Sequence, residues 1–286
     1  SWRIQVPLGF AFTVPTRQFN WAFETVPQPG LNGRCGYQPR GKTLGGSSSI
    51  NAMMYIRGHR CDYDHWAALG NTGWGYDDLL PLFRKSENNT DLHDDYHGNN
   101  GPLHVSYLRS PSPFFQLCID AARQQGVPLN HDFNGANQEG IGYTQVMQIN
   151  GERCSAAKAF ITPNLARDNL HVETNAHATR ILFEGKRAVG VEYRQGGQLR
   201  QIRARREVII SAGAFQSPQL LMLSGIGDGE ALRQHGISVL QHLPGVGRNL
   251  QDHLDINLNY RANHPDLIGT EPASALALLR GILPYR

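Results

Sequence analysis

A glycine- and serine-rich segment is the part of this sequence whose residue types best suit ligand binding. It reads Gly41-Lys-Thr-Leu-Gly-Gly-Ser-Ser-Ser-Ile-Asn51 and leads into an apolar run at 52–56. Gly45 and Gly46 have no Cβ, so their backbone can pass close to a flat or anionic ligand. The serines and Asn51 add groups that donate and accept hydrogen bonds. Such a loop could line a flavin ring, or it could be a solvated surface turn, and composition alone leaves both interpretations open.

Patterns elsewhere that could carry chemistry are weaker. His93 and His97 stand four residues apart, which suggests a metal site, but their Gly-, Asn- and Asp-rich stretch offers no further anchoring ligand. We expect a solvated loop there and no metal. Gly245-Val-Gly-Arg-Asn-Leu250 shares two glycines with a dinucleotide-binding fingerprint, but Leu250 replaces the third and no helical pattern follows. Ser47–Ser49 lack the Gly-x-Ser-x-Gly elbow of a serine nucleophile.

The first half of the chain predicts few regular elements to position these groups. Residues 1–40 are rich in aromatics, Pro and Gly, which predicts an extended, irregular arm. A helix is predicted over Asp77–Lys85, because acids at its start and bases at its end suit the helix dipole. A second helix is predicted over Ser112–Arg123, where a serine N-cap precedes a proline at the first helical position. We expect the rest of 59–150 to be loops.

From residue 170 the pattern changes to β. Glu207–Gly213 predicts a buried apolar strand that enters a glycine turn, and Ser217-Pro218 predicts the start of a helix that ends at Leu223. A buried strand, tight turn and helix form the building block of nucleotide-binding α/β folds. Before them, short alternating runs predict an antiparallel meander. Its strands are expected at His171–Thr174, Thr179–Phe183, Ala188–Tyr193 and Leu199–Arg205.

Composition and charge exclude several classes of protein. Hydrophobic residues make up 40% of the 286 residues and charged residues 18%, as in soluble globular enzymes. The formal net charge of +3 is small, so a nucleic-acid partner has no support. No apolar run approaches the length of a membrane span. The four cysteines form no Cys-x-x-Cys pair, so we expect reduced thiols rather than a zinc ribbon.

Three long segments resemble signatures of the glucose–methanol–choline (GMC) oxidoreductase family. The first is 41–51 followed by Tyr55-Ile-Arg-Gly58, with 62–66 and 73–76 as its usual continuation. The second is Gly213–Gly227, and the third is Leu243–His253. The match is specific because the segments are long, stand in the family's order and extend over nearly the whole chain.

This resemblance implies an α/β fold in which an FAD-binding domain with the β-meander carries an inserted substrate-binding cap, both incomplete here. It assigns 1–58 and 152–252 to the FAD-binding domain, and 59–151 and 253–286 to the cap. The family's Gly-x-Gly-x-x-Gly unit is not found in the chain. The family's catalytic histidine is expected beyond Arg286, so we expect no catalytic residue in this chain and no activity from it alone.

The resemblance also implies where FAD is bound. In relatives, side chains of the first signature contact the cofactor, and a residue of the first meander strand binds the adenine through its backbone. The turn that ends at Gly213 is expected near the nucleotide. Ile50 stands where some relatives attach the flavin through a histidine, so FAD is expected to be non-covalent. We expect this chain alone to bind FAD weakly or not at all. The expected contacts are Gly45, Gly46, Ser47, Asn51, Ala52, Met54, Ala178, Ser211, Ala212 and Gly213.

For the whole protein, the resemblance implies oxidation of the CH–OH group of a primary alcohol, choline or another, with hydride transfer to flavin N5. The choline dehydrogenase-like branch is the most similar, so quinone or oxygen is the expected electron acceptor. We expect a cytoplasmic protein, or one bound peripherally at the inner membrane. Two alternatives remain: a non-redox lyase of the hydroxynitrile lyase type, and an isolated non-catalytic fragment that self-associates through exposed cut interfaces.

Overall fold

The computed structural model describes residues 1–109, 111–252 and 255–256. These residues form two compact units, one that ends at Leu170 and one that begins at His171. His253 and nearly all of the predicted cap segment 253–286 lie outside the described residues. Each helix in the described part of the chain is too short or too polar to cross a bilayer.

The first forty residues are more ordered than predicted. They contain helices α1 (Trp2–Gln5) and α2 (Phe10–Thr13) and a hairpin of strands β1 (Phe23–Glu24) and β2 (Tyr37–Gln38). The side chain of Asn20, which is 2% exposed, holds these segments together. Its amide nitrogen donates to Val14 O, and its oxygen accepts from Ala22 N and Arg40 N, at 2.8–2.9 Å. The expectation of an irregular arm was therefore wrong, because one buried amide joins segments that show no periodic pattern.

Both helices predicted in the first unit are confirmed. Helix α4 spans Tyr76–Ser86 and α5 spans Pro113–Gln124. Ser112 occupies the N-cap of α5, as predicted, although its side chain makes no capping hydrogen bond.

Helix α3 (Arg60–Ala68) was not predicted, and its N-cap explains why. His59 Nδ1 accepts from Cys61 N at 3.2 Å, and Asp62 Oδ2 accepts from His59 N at 2.9 Å. This reciprocal pair is a capping box in which histidine replaces the usual Ser or Thr. Sequence rules search for those residues and pass over histidine.

The core of the first unit forms where the chain after the glycine-rich loop runs beside residues 145–147. Tyr55 N donates to Gln145 O, and Met147 N donates to Met53 O, both at 2.9 Å. Four short strands flank this pairing: β3 (Glu87–Asn89), β4 (Leu103–Val105), β5 (Gln148–Ile149) and β6 (Glu152–Arg153). The buried apolar side chains include Ile50, Met53, Tyr63, Tyr76, Val105, Ile119, Val146, Cys154, Ala157 and Ala159.

The second unit is built on the predicted antiparallel meander. Its strands pair in the order β7 (His177–Glu184), β8 (Arg187–Gln195) and β9 (Gln198–Arg203). The strand expected before these three, at His171–Thr174, is not formed. The remaining elements are α6 (Gly213–Leu223), β10 (Ile226–Gly227), α7 (Gly229–Gln234) and β11 (Gln241–His242).

The prediction of a buried strand over Glu207–Gly213 was wrong. Residues 207–211 pair with none of the described strands, and Ile209 is 77% exposed. A parallel strand is stable only when neighbours cover both of its faces. Neither the meander nor the β10–β11 pair in the described part of the second unit pairs with this segment. Helix α6 also begins four residues earlier than predicted, so Pro218 lies inside it and removes one intrahelical hydrogen bond.

Candidate cofactor-binding site

The glycine-rich loop folds into a tight turn that requires its glycines. Gly45 has φ 91° and Gly46 has φ 56°, in the left-handed region that favours glycine. A Cβ on Gly41 would lie 2.1 Å from Gly46 O and 2.7 Å from Ser47 N. A short 3₁₀ turn over Gly46–Ser49 follows. The loop is therefore a packed structure with a defined surface rather than a free surface turn.

Two of the three serines stabilise the loop itself. Ser48 Oγ donates to Gly45 O and accepts from Ala156 N, and Ser49 Oγ donates to Leu44 O at 2.8 Å. Ser47 is different, because it is exposed and its Oγ accepts from Gly41 N at 3.1 Å. Its own hydroxyl proton has no acceptor among the described residues. The sequence could not separate these roles, since all three residues are serine.

The predicted contact residues of the loop are accessible to solvent. Ser47, Ala52 and Met54 are exposed, and Gly45, Gly46 and Asn51 are partly exposed. Ile50 and Met53, at 3% and 4% exposure, are buried in the core instead. Met53 also has φ 65°, in the left-handed region that is uncommon for a residue with a side chain. The structure therefore leaves the predicted contacts of this loop free to meet a ligand.

Asn51 is oriented as a hydrogen-bond donor. Its Oδ1 accepts from Arg153 Nη1 at 2.8 Å and from Met53 N at 3.1 Å. An amide oxygen with two donors is fully used, and this network sets which end of the amide faces outward. The Nδ2 group has no acceptor among the described residues. Asn51 thus offers two N–H donors at the exposed surface of the loop.

Arg153 is a buried residue in contact with this loop that was not singled out from the sequence. It is 2% exposed and also donates to Asn51 O at 2.7 Å, Ser48 O at 3.1 Å and Ile4 O at 2.9 Å. Burial lowers the pKa of its guanidinium to about 10. One local signal was available: Asn150 and Gly151, both with positive φ, form the Asn-Gly turn that places Arg153 on β6.

The remaining predicted contacts lie in the second unit. Ala178 is on β7, where it pairs with Tyr193 beside an irregularity in the register. Ser211, Ala212 and Gly213 are exposed and lead into the N-terminus of α6. Ala212 N donates to Ser217 Oγ at 3.0 Å, which stabilises this turn. Helix α6 packs against β7, so Ala178 and the 211–213 turn belong to neighbouring elements of one unit.

The expectation of a solvated loop at His93–His97 was wrong for His97. His93 is exposed, whereas His97 is 4% exposed. Its Nδ1 lies 3.0 Å from Glu87 Oε1, and its Nε2 lies 3.0 Å from Asp132 Oδ2. Arg57 Nη2 donates to the second oxygen of Glu87 at 2.5 Å. The anchoring partners are 10 and 35 residues away, so the local sequence could not reveal them.

The charges of this buried cluster depend on one another. Burial lowers the pKa of His97, but hydrogen bonds to Asp132 and Glu87 outweigh it and raise that pKa to about 9. Burial raises the pKa of each carboxyl group, but the combined hydrogen bonds and nearby positive charges, with the hydrogen bond from His97 the largest of them, outweigh it and lower the pKa of both. Asp94, His97 and Asp132 are close enough to hold a metal ion. A protonated histidine has no lone pair for a metal, so the cluster is better explained as an ion-pair network.

The chain belongs to the GMC oxidoreductase family, whose family model matches residues 9–255. An alcohol dehydrogenase [acceptor] of Pseudomonas putida is 48% identical over 99% of this chain and 52% of its own length. An oxygen-dependent choline dehydrogenase of Brucella suis biovar 1 is 44% identical over 94% of this chain and 49% of its own. Mouse mitochondrial choline dehydrogenase is 46% identical over 93% of this chain and 44% of its own length. The chain thus spans about half the length of these curated relatives.

Solved structures show the same fold. Pyridoxine 4-oxidase from Mesorbium loti aligns with TM-score 0.79 and 32% identity, over 84% of this chain and 48% of that one. An FAD-dependent oxidoreductase from Chaetomium thermophilum aligns with TM-score 0.78 and 32% identity, over 85% of this chain and 44% of that one. The α/β fold and the resemblance to the choline dehydrogenase-like branch are therefore confirmed.

Proposed function

We propose that the protein containing this chain is an FAD-dependent oxidoreductase that acts on the CH–OH group of a primary alcohol, choline or another. The observation that carries the proposal is the exposed surface of the 45–54 loop. There the glycine backbone is accessible and Asn51 presents two free N–H donors. Membership of a family with FAD-dependent members makes FAD the ligand that this surface fits.

The residues of this chain hold the cofactor in the proposed mechanism. When bound, FAD supplies the hydride acceptor. Gly45 and Gly46 allow close approach of the backbone, and Ser47 and Asn51 donate hydrogen bonds. Ala52 and Met54 add apolar contact on the same surface. In the second unit we assign the backbone of Ala178 to the adenine and the turn Ser211–Gly213 to the nucleotide.

The finer assignments belong to the same proposal. FAD is bound non-covalently, because the aliphatic side chain of Ile50 offers no atom for a bond to flavin. Residues 1–58 and 152–252 form part of the FAD-binding domain, and 59–151 and 253–286 form part of the cap. The catalytic histidine lies beyond Arg286, and the electron acceptor is quinone or oxygen. We place the protein in the cytoplasm, with no metal or nucleic-acid partner. The exposed Ile209 supports self-association of this chain in isolation.

Cofactor binding is tested on the longer protein that contains this chain, by titration with FAD monitored through quenching of flavin fluorescence. We expect saturable binding by that protein, and release of all flavin into the filtrate after denaturation. Asn51→Ala removes two donors and should weaken binding about tenfold. Asn137→Ala is the matched control, because Asn137 is an exposed asparagine of the same unit. Equal binding by both variants, or flavin retained on denatured protein, would contradict the assignment.

The reaction is tested on the longer protein that contains this chain. Anaerobic addition of choline, or of a simple primary alcohol, should bleach the flavin absorption band. Absence of bleaching, together with release of aldehyde from a cyanohydrin, would support the lyase alternative instead. Absence of bleaching with every alcohol, together with absence of aldehyde release from every cyanohydrin, would overturn both enzymatic proposals.

A further inference from the structure

Arg153 is buried without a counterion among the described residues. The other buried arginine of the unit, Arg57, is paired with Glu87, although its Nε is also buried without a hydrogen-bond partner. Arg153 forms no ion pair with any described carboxylate, and its Nη2 is buried without a hydrogen-bond partner. An unpaired buried charge is costly, and each unsatisfied buried donor adds about 1–3 kcal/mol. An apolar side chain of similar size would avoid both costs, but it would remove the donor to Ile4 O, Ser48 O and Asn51 O.

The contacts of Arg153 are concentrated on the exposed loop. Three of its four hydrogen bonds go to this loop, to Ser48 O, Asn51 O and Asn51 Oδ1. The fourth runs from Nε to Ile4 O, outside the loop. Because Nη1 binds both the backbone and the side-chain oxygen of Asn51, it restrains the position and the rotation of that amide. Loss of Nη1 would leave Met53 N as the only described donor to Asn51 Oδ1.

We propose that Arg153 is a positioning residue for cofactor binding: it holds the Asn51 amide with its oxygen inward and its N–H groups toward an acceptor atom of the flavin. The inference rests on the proposed function of the loop. Arg153 need not touch FAD, since it acts through Asn51. A lysine at this position could reach one of the acceptors but not the whole set, because it lacks the planar fork of the guanidinium.

A double-mutant cycle on FAD affinity tests the proposal. Arg153→Met should weaken FAD binding about tenfold in the otherwise unchanged chain, with Arg153→Lys intermediate. In the Asn51→Ala background, Arg153→Met should change affinity less than twofold, because the group it positions is gone. Arg57→Lys is the matched control: it alters the other buried arginine and should leave FAD affinity unchanged. Additive losses in the cycle would overturn the proposal, since a purely structural arginine acts independently of Asn51.

A second measurement requires no cofactor. Hydrogen exchange of peptides that cover residues 48–54 should speed up in Arg153→Lys and stay unchanged in Arg57→Lys. Should Arg153→Met not fold, the lysine variant replaces it in both experiments. Failure of the longer wild-type protein to bind FAD would contradict the proposed function of the loop, while faster exchange at 48–54 would still support positioning of Asn51. Unchanged exchange in Arg153→Lys would overturn the inference even where FAD binds.

Discussion

Replacement of His97 by glutamine tests whether His97 is charged in the buried cluster, through the pH dependence of the free energy of unfolding. Both ring nitrogens of His97 face ionised carboxylates at 3.0 Å, and carboxylates only accept hydrogen bonds. Asn89 Nδ2 lies 3.1 Å from His97 Nδ1, but it has acceptors in Glu87 Oε1 and Gln145 Oε1 for its two protons. Both nitrogens of His97 must therefore donate, and the ring is an imidazolium.

The size of the effect follows from the pKa of His97. A rise from 6.5 to about 9 corresponds to about 3 kcal/mol, at about 1.4 kcal/mol for each pH unit. Because the folded-state pKa is the higher one, this stabilisation is complete below pH 6.5 and is lost as the pH rises through 9. Between these values the folded chain binds one more proton than the unfolded chain. The stability advantage of wild type over His97→Gln should therefore shrink by about 1.4 kcal/mol per pH unit.

Urea unfolding at several pH values between 6 and 9.5 measures this advantage. Tryptophan fluorescence reports on the correct unit, because all four tryptophans precede residue 75. His93→Gln is the control: it removes the exposed histidine of the same loop and should leave the unfolding curves unchanged. A difference between wild type and His97→Gln that stays constant from pH 6 to 9.5 would falsify the imidazolium assignment. NMR titration of the His97 ring gives the same answer directly.

Three further substitutions test the packing that positions the site. Gly41→Ala would place a Cβ against Gly46 O, so it should lower the free energy of unfolding by about 1–3 kcal/mol and weaken FAD binding. In Gly30→Ala the added Cβ meets open space, so this control variant should keep the stability and the FAD affinity of wild type. Ile119→Ala should cost about 2–5 kcal/mol in urea unfolding, because Ile119 is 2% exposed, and the half-exposed Leu117→Ala should cost much less. His59→Ala should cost about 1 kcal/mol through loss of the α3 cap, and His59→Ser should restore it; equal stability of the two variants would contradict the capping role.

The elements predicted correctly are those specified by neighbouring residues. Helix α4 has acids in its first turn and bases in its last, and α5 has a serine N-cap followed by proline. In the meander, the turn residues lie directly between the paired strands. Failures arose where distant partners decide. His97 was assigned to solvent because Glu87 and Asp132 are remote in sequence. Residues 207–211 were predicted to form a buried strand because the run is apolar. An apolar run shows a tendency to be buried, but it does not show which neighbouring strands would bury it.

The same distinction divides the cofactor site. Residue type and spacing predicted a tight glycine turn, which Gly41, Gly45 and Gly46 form, and the family resemblance made it a candidate cofactor loop. They could not assign the direction of the Asn51 amide, since an asparagine both donates and accepts. That direction is set by Arg153, which lies 102 residues further along the chain. A residue that acts through another carries no ligand-binding signature of its own, and its unpaired burial in the folded chain is what indicates its role.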